Sequence, residues 1–253
     1  MKIKAAGCTH IGMRRSQNQD SYLLLPECGV FAVADGMGGH NGGEMASAMA
    51  VQTIRDYFDA QTVVSTKEAS PVRSAISSAN KAIQLKGSQD PTLQGMGTTT
   101  TALHFDGQNL WIGHVGDSRT YLLQPGKIWQ LTRDHSVVQE KLRAGMITRD
   151  QLKTDRMRNV ITRSVGFEAD VEVDVYNYQP QKGDVFVVCS DGLSGMVPDE
   201  DILQIVDGAI FQNAKAKEVS EPCEEAAAKE LIDAANRNGG DDNVTAIVVQ
   251  CTG

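Results

Sequence analysis

The sequence is short of the features that define several protein classes. Its five cysteines (Cys8, Cys28, Cys189, Cys223 and Cys251) are odd in number, scattered, and form no C-x-x-C pair. That argues against a disulfide frame or a zinc knuckle and fits a reducing cytoplasm. Basic residues are outnumbered, with 24 Lys and Arg against 32 Asp and Glu for a formal charge of −8, so no basic stripe awaits a nucleic acid. Long hydrophobic runs are missing as well. "VFVVC" is far too short to cross a bilayer, and the opening "MKIKAAGCTHIG" lacks the apolar stretch of a secretory signal. No Pro-rich or Ser-rich linker and no internal repeat divides the 253 residues, which leaves one domain over residues 1–253 as the expectation. The expectation is a cytoplasmic protein without nucleic-acid or membrane partners, taken to be a monomer.

What the sequence does have is glycine beside aspartate. In "FAVADGMGGHNGGEMASAMA", residues 31–50, the apolar run Phe31–Ala34 reads as a buried strand. It ends on Asp35, and Gly36, Gly38, Gly39, Gly42 and Gly43 follow in a loop free to adopt positive φ. From Ser47 onward, Ala50, Val51, Ile54, Tyr57 and Phe58 share one helix face. A glycine-rich strand-to-helix turn would account for the stretch taken alone.

Val72, Ala75, Ile76, Ala79 and Ile83 repeat the helical spacing, and strands then dominate: "TTTTALHF", "NLWIGHV", "RTYLL" and "KIWQL". Their separation by Asp106-Gly107, Gly116-Asp117 and Pro125-Gly126 predicts antiparallel hairpins. Further strands are expected in "VEVDVYNY", "DVFVVCS" and "TAIVVQ", with helices near 199–211 and 221–237. The pattern predicts an α+β fold of antiparallel sheets packed together with helices outside.

Residues 135–166 stand apart. Thr148 with Gln151 makes a capping box and Gly145 a helix stop, so short helices are expected there. From Lys141 to Arg163 there are seven Lys and Arg against two Asp, inverting the charge of the whole chain. A solvated helix face and a flap that greets an anionic substrate are both consistent with that inversion.

Three more aspartates share the position of Asp35 at a strand end beside glycine: Asp117 in "HVGDSR", Asp191 in "SDG" and Asp242 in "GGDDNVT". Singly, each suits a turn. Converging on one rim, they would repel one another without cations, and all-oxygen ligation suits Mg²⁺ or Mn²⁺ rather than zinc. The histidines offer no H-E-x-x-H or H-x-H spacing.

The ordered set "RSQNQD", "VADGMGGHNGGE", "GTTTTAL", "HVGDSRTYLL", "TRDHSVVQEKLRAGMIT", "RNVITRSVG", "CSDGL" and "GGDDNVTAIVV" resembles metal-dependent serine/threonine protein phosphatases of type 2C, most closely the compact bacterial members. The resemblance implies an α-β-β-α sandwich of two antiparallel sheets flanked by antiparallel helix pairs. It implies that phosphoserine and phosphothreonine in proteins, the products of a Ser/Thr kinase, are hydrolysed by a water bridging two Mn²⁺ or Mg²⁺ ions. In that scheme Asp35 bridges both ions, the Gly36 carbonyl binds the second, and Asp191 and Asp242 complete the first. Asp20 orients metal-bound water, Arg15 grips the phosphate, and Asp117 with Asp191 holds a third ion. Two positions depart from many eukaryotic relatives: Gln19 stands where they have Glu, and Met37 where they have a His that protonates the leaving group. His40, three residues on, and a metal-bound water are then the two candidates for the acid.

A cysteine-dependent phosphatase is the rival of the same reaction type, because "CTHIGMR" satisfies Cys-x5-Arg through Cys8 and Arg14. Such a loop must run from a strand into a helix N-terminus, whereas "NQDSYLLL" reads as a strand. A catalytically dead phosphoprotein-binding module is the rival of another class, and the intact carboxylate set argues against it. "GLSGM" fails the Gly-x-Ser-x-Gly elbow of a serine hydrolase at Met196.

Overall fold

The computed structural model describes residues 1–61, 70–152, 154–212 and 222–253, except the side chains of residues 39–41 and 61. In chain order the elements are β1 (Ile3–His10), β2 (Asp20–Leu25), β3 (Val30–Met37), α1 (Gly39–Gln61), α2 (Pro71–Gln89), β4 (Gly97–Thr98), β5 (Thr100–Asp106), β6 (Asn109–Val115), β7 (Arg119–Gln124) and β8 (Lys127–Gln130). Then follow α3 (Val137–Arg143), β9 (Asp174–Tyr178), β10 (Val185–Cys189), α4 (Asp191–Ser194), α5 (Asp199–Val206), α6 (Cys223–Arg237) and β11 (Val244–Cys251).

The strands form two sheets, ordered β1-β11-β10-β7-β8 and β2-β3-β5-β6-β9, with β4 paired to β3; every ladder is antiparallel. Alternation along each strand explains the layers. Phe31, Val33, Leu103, Phe186, Val188, Ile247 and Val249 meet between the sheets. On β3 the intervening Val30, Ala32 and Ala34 turn the other way, under Ile54, Phe58, Ile76 and Ile83 of α1 and α2. Val185, Val187, Val244 and Val248 likewise face α5 and α6 through Ile202, Val206 and Leu231. Strands covered on both faces must be apolar at successive positions, which is why "FAVA" and "VFVVC" are continuous runs. The result is the expected α-β-β-α sandwich. Truncating Phe186, fully buried at its centre, would cost about 3–5 kcal/mol.

Four local expectations fail for identifiable reasons. The glycines after Met37 form a turn only at Gly38, with φ +124°, and Gly39, Gly42 and Gly43 lie in the first turns of α1. That helix approaches β3 so closely that a Cβ on Gly36 would sit 2.0 Å from the Gly43 carbonyl oxygen. "TTTTALHF" breaks at Thr99 into β4 and β5. β9 begins only at Asp174, because its partner β6 reaches Asp174 through His114 and then turns away, leaving Val171–Val173 without a neighbouring strand. Most consequential, the Gly116-Asp117 turn is no hairpin, since β6 and β7 belong to different sheets. The chain crosses there from one layer to the other, at the sandwich rim. In the stretch expected near 199–211, α5 passes into a wide turn over Asp207–Gln212.

In residues 135–166, Ser136 caps α3 through its Oγ, which accepts from the Gln139 N–H, and Gly145 follows that helix with φ +69°. Thr148 N–H donates to Gln151 Oε1 at 2.8 Å, the reciprocal half of the expected capping box. Among the described residues no helix is long and apolar enough to cross a membrane.

Candidate active site

At one rim of the sandwich a cleft of about 500 Å³ is lined by Arg15, Gln19, Asp35, Gly36, Asp117, Asp191, Asp242 and Asn243 among others. The topology explains the convergence. Asp35 is the last residue of β3 paired with β2, where it lies opposite Asp20, and β3 runs on to Met37 beside β4. Asp191 follows β10 by way of Ser190, and Asp242 precedes β11, whose partner is β10. Asp117 sits in the crossing between sheets.

Asp35, Asp20 and Asp242 each have a support. Thr99 exploits the strand break: its Oγ1 accepts from the Asp35 N–H at 3.1 Å, and its own N–H donates to the Asp35 carbonyl at 2.8 Å. Asp20 lies beneath the cleft, where Oδ2 accepts from Ser190 Oγ and Thr245 Oγ1, each at 2.7 Å. Asn243 staples the loop that carries Arg15, donating to the carbonyls of Ile11 and Gln17 at 2.9 Å and accepting from the Gln19 N–H at 2.8 Å. Gly192 has no room for a side chain, since a Cβ would come within 2.0 Å of the Asn243 carbonyl oxygen. Arg15 Nη2 donates to Asp242 Oδ2 at 2.6 Å.

These groups are electrostatically frustrated. Burial, reinforced by the charges of Asp20, Asp191 and Asp117, holds Asp35 well above the usual carboxylate range. Asp117 is pushed up to about 8 by burial and then by Asp191. Asp20 is pushed up to about 7 by burial, against the pull of its bonds from Thr245 and Ser190. Asp191 is raised by burial and by Asp242, with Asp35, Arg119 and Arg15 acting in the opposite sense. Four neighbouring carboxylates with raised affinity for protons are a site that favours cations. Oδ1 of Asp20 and Oδ1 of Asp191 are buried without a hydrogen-bond partner, so two oxygens remain to take one up. As the side chains stand, no group of three or more His, Cys, Asp or Glu among the described residues closes into an ion cage. The oxygen-only donors and the two orphaned oxygens nevertheless fit hard divalent ions.

The cleft thus brings together Arg15, Asp35, Gly36, Asp117, Asp191 and Asp242, with Asp20 below them. His40 falls in the first turn of α1, and its side chain lies outside the described residues. The rival pair is not in the cleft. Cys8 sits mid-strand in β1 opposite Ala246, its thiol raised by burial rather than activated, and Arg14 pairs with Asp241 at 3.7 Å. Sequence reasoning missed Thr99, Ser190, Thr245 and Asn243 as supports. It also missed Asn159 and Ile161, which line the cleft from the flap. All six lie inside the motifs quoted above, but nothing in their residue types marks a role.

The family model for protein phosphatase 2C matches residues 6–221. The chain belongs to that family. The phosphatase is 38% identical over 223 residues to the serine/threonine phosphatase stp of Listeria monocytogenes, covering 87% of this chain and 84% of that protein. It is 36% identical to the serine/threonine protein phosphatase PstP of Mycobacterium tuberculosis, over 97% of this chain and 44% of PstP. A crystal structure of the M. tuberculosis PstP/Ppp superposes with a TM-score of 0.87 at 33% identity, covering 99% of both chains. A second structure, the PstP catalytic domain in complex with 2 manganese ions, gives 0.84 at 32% identity, again over 99% of both chains. The protein is accordingly a serine/threonine protein phosphatase, a hydrolase of phosphoproteins.

Proposed function

We propose that the phosphatase removes phosphate from phosphoserine and phosphothreonine by direct attack of water, with two Mn²⁺ or Mg²⁺ ions held in the acidic cleft. The observation that carries this reading is the convergence of Asp35, Asp117, Asp191 and Asp242 on one cleft with Arg15 at its edge. The manganese ions of the related PstP catalytic domain support it. When bound, such ions neutralise phosphate charge and lower the pKa of a water from ~15.7 towards neutrality.

Asp35 would hold both ions, the Gly36 carbonyl would hold the second, Asp191 and Asp242 would complete the first, and Asp117 with Asp191 would take a third. Asp20, anchored through Oδ2 by two hydroxyls, keeps Oδ1 free to accept a hydrogen bond from the attacking water and so orient it. Arg15 supplies a planar, permanently charged fork for the phosphoryl oxygens, and its half-exposed guanidinium is within reach of substrate. The Asn243 staple fixes the loop from which Arg15 projects. The leaving alkoxide takes its proton from His40 or from water.

Residues 1–253 form one domain in this reading, with 135–166 a flap subdomain over the cleft. The protein works as a monomer in the cytoplasm, on the products of Ser/Thr kinases. The test is phosphate release from a phosphothreonine peptide. Release should stop in excess EDTA and return with Mn²⁺ or Mg²⁺; full activity in EDTA would end the two-ion reading.

A further inference from the structure

We propose that His135 is a positioning residue through which the flap and the turn carrying Asp117 hold each other in place. Three bonds make the connection. The His135 N–H donates to the Gly116 carbonyl at 2.7 Å, and the Gly116 N–H donates back to His135 Nδ1 at 3.1 Å. On the other side, the Thr162 N–H donates to the His135 carbonyl at 2.8 Å. The residue thus clasps both backbone polar groups of Gly116, the residue before Asp117, and, at once, the flap segment whose Ile161 lines the cleft.

The turn needs such a clasp. Gly116 adopts φ +109°, and a Cβ there would strike Thr99 at 2.6 Å, so the crossing between sheets is a conformation only glycine can take. Ser118, further along the turn, is held from β5 and the strand break, with Thr99 Oγ1 2.8 Å from its Oγ and Thr101 Oγ1 donating to its carbonyl at 3.2 Å, while His135 holds Gly116 itself. Because Nδ1 accepts, the ring proton resides on Nε2, which faces Asp174 Oδ2 at 3.3 Å. Asp174 in turn accepts from Arg163 Nη1 at 2.8 Å, so the flap's last basic residue fixes the ring's orientation from behind. The neighbouring residues reinforce the same seam: Asp134 accepts a bidentate pair from Arg119, at 2.7 and 3.0 Å, and His114 Nε2 lies 2.9 Å from the Arg133 carbonyl. His135 alone among them bonds to both the turn and the flap segment at Thr162. The functional consequence rests on reading Asp117 as an ion ligand: displacement of the flap would be felt at Asp117 and ion binding there would be felt in the flap.

Three variants separate positioning from mere packing. His135→Ala removes the acceptor and leaves the buried Gly116 N–H unpaired. His135→Asn keeps an acceptor oxygen close to the Nδ1 position. His135→Gln places its polar end towards Asp174 and leaves Gly116 unserved. In the metal-free protein, amide hydrogen exchange at residues 116–118 and at 161–162 should accelerate together by about tenfold or more in Ala and Gln, and stay within about threefold of the parent in Asn. The Mn²⁺ concentration for half-maximal activity should rise in the same two variants, and direct Mn²⁺ titration by electron paramagnetic resonance should show one weakened site. Exchange unchanged in either segment of a folded Ala variant would overturn the proposal, as would equal impairment of Ala and Asn. Should Ala fail to fold, the Asn and Gln pair gives the same decision. Coupled exchange together with Mn²⁺ binding that is insensitive to Asp117→Asn would uphold the tether and remove the ion reading of Asp117.

Discussion

Asp20, beneath the cleft, accepts hydrogen bonds from two buried hydroxyls that belong to β10–β11 chain ends. Asp155, in the flap, is instead tied to the flexible Lys141 amine at 2.9 Å. The contrast runs through the two regions. Thr99, Ser190 and Thr245 are fully buried supports of the rim. Among the described residues of 137–160 only Val138 is a buried hydrophobic side chain, while Met146 is 75% exposed. A segment with so few buried apolar contacts opens at low free energy, whereas strand ends inside two sheets move only with the core. The charge-bearing geometry therefore sits on the rigid region, and the flap, the surface we propose meets a variable peptide, is the adaptable one.

The comparison predicts the largest losses on the rim. Asp35→Asn keeps the shape and the backbone bonds of Thr99 but removes a charge at the centre of the cluster. It should lower turnover by on the order of 10³-fold or more, with the melting temperature in EDTA raised or unchanged. Direct Mn²⁺ titration checks the cause, and retained Mn²⁺ affinity with normal turnover would refute the assignment of Asp35.

Next comes Arg15→Ala, which should lose about 2–4 kcal/mol of transition-state stabilisation, roughly 30- to 1000-fold in kcat/KM on a phosphopeptide. Cys8→Ser should cost almost nothing, since Cys8 lies in β1 and outside the cleft. A folded but inactive Cys8→Ser protein would restore the cysteine mechanism.

The legibility of the sequence follows the same division. The layers could be read because strands covered on both faces must be continuously apolar, and α1 and α2 show plain helical spacing. The aspartates could be read because a strand end beside glycine is unusual when it recurs. What could not be read depended on tertiary contact. The Gly116-Asp117 turn looks locally like any hairpin, and only the partners of β6 and β7 reveal that it crosses between sheets. Thr99 is one threonine among four, distinguished by meeting Asp35. The glycines of α1 read as loop because their packing against β3 is invisible locally. The flap's basic inversion could be seen, but not that Asn159 and Ile161, rather than its lysines and arginines, line the cleft.

A smaller effect sharpens the comparison through pH. Asp20 at about 7 and Asp117 at about 8 hold protons in the folded protein that the unfolded chain, with aspartates near ~3.9, has already lost. The folded state then binds more protons, so stability falls as pH rises through that window. Below about 6.5 the effect is opposed, because burial keeps His114 down to about 4 and the unfolded imidazole charges first. Between pH 6.5 and 8 in EDTA, the melting temperature should therefore decline, and Asp117→Asn should flatten the decline. Saturating Mn²⁺ should raise the melting temperature most at the alkaline end, where protons no longer compete. A melting temperature that climbs with pH in EDTA would contradict the frustrated-rim description.

The smallest effect belongs to the flap's own charges. Arg156 and Arg158 are exposed and are two of the seven basic residues between Lys141 and Arg163. If they steer and orient phosphopeptides, replacing both by Gln should lower kcat/KM on a phosphopeptide by only a few-fold, about 3 to 10, because exposed charges act through water. The loss should appear mainly in KM, and it should be nearly absent on a small aryl phosphate, which does not extend beyond Arg15 and the carboxylates. It should shrink further in 1 M salt, where the screening length is about 3 Å. Rim substitutions should behave in the opposite way, damaging both substrates equally at every ionic strength. Equal losses on both substrates from the flap variant would return these arginines to the status of a solvated surface, and would leave discrimination between substrates to Asn159 and Ile161.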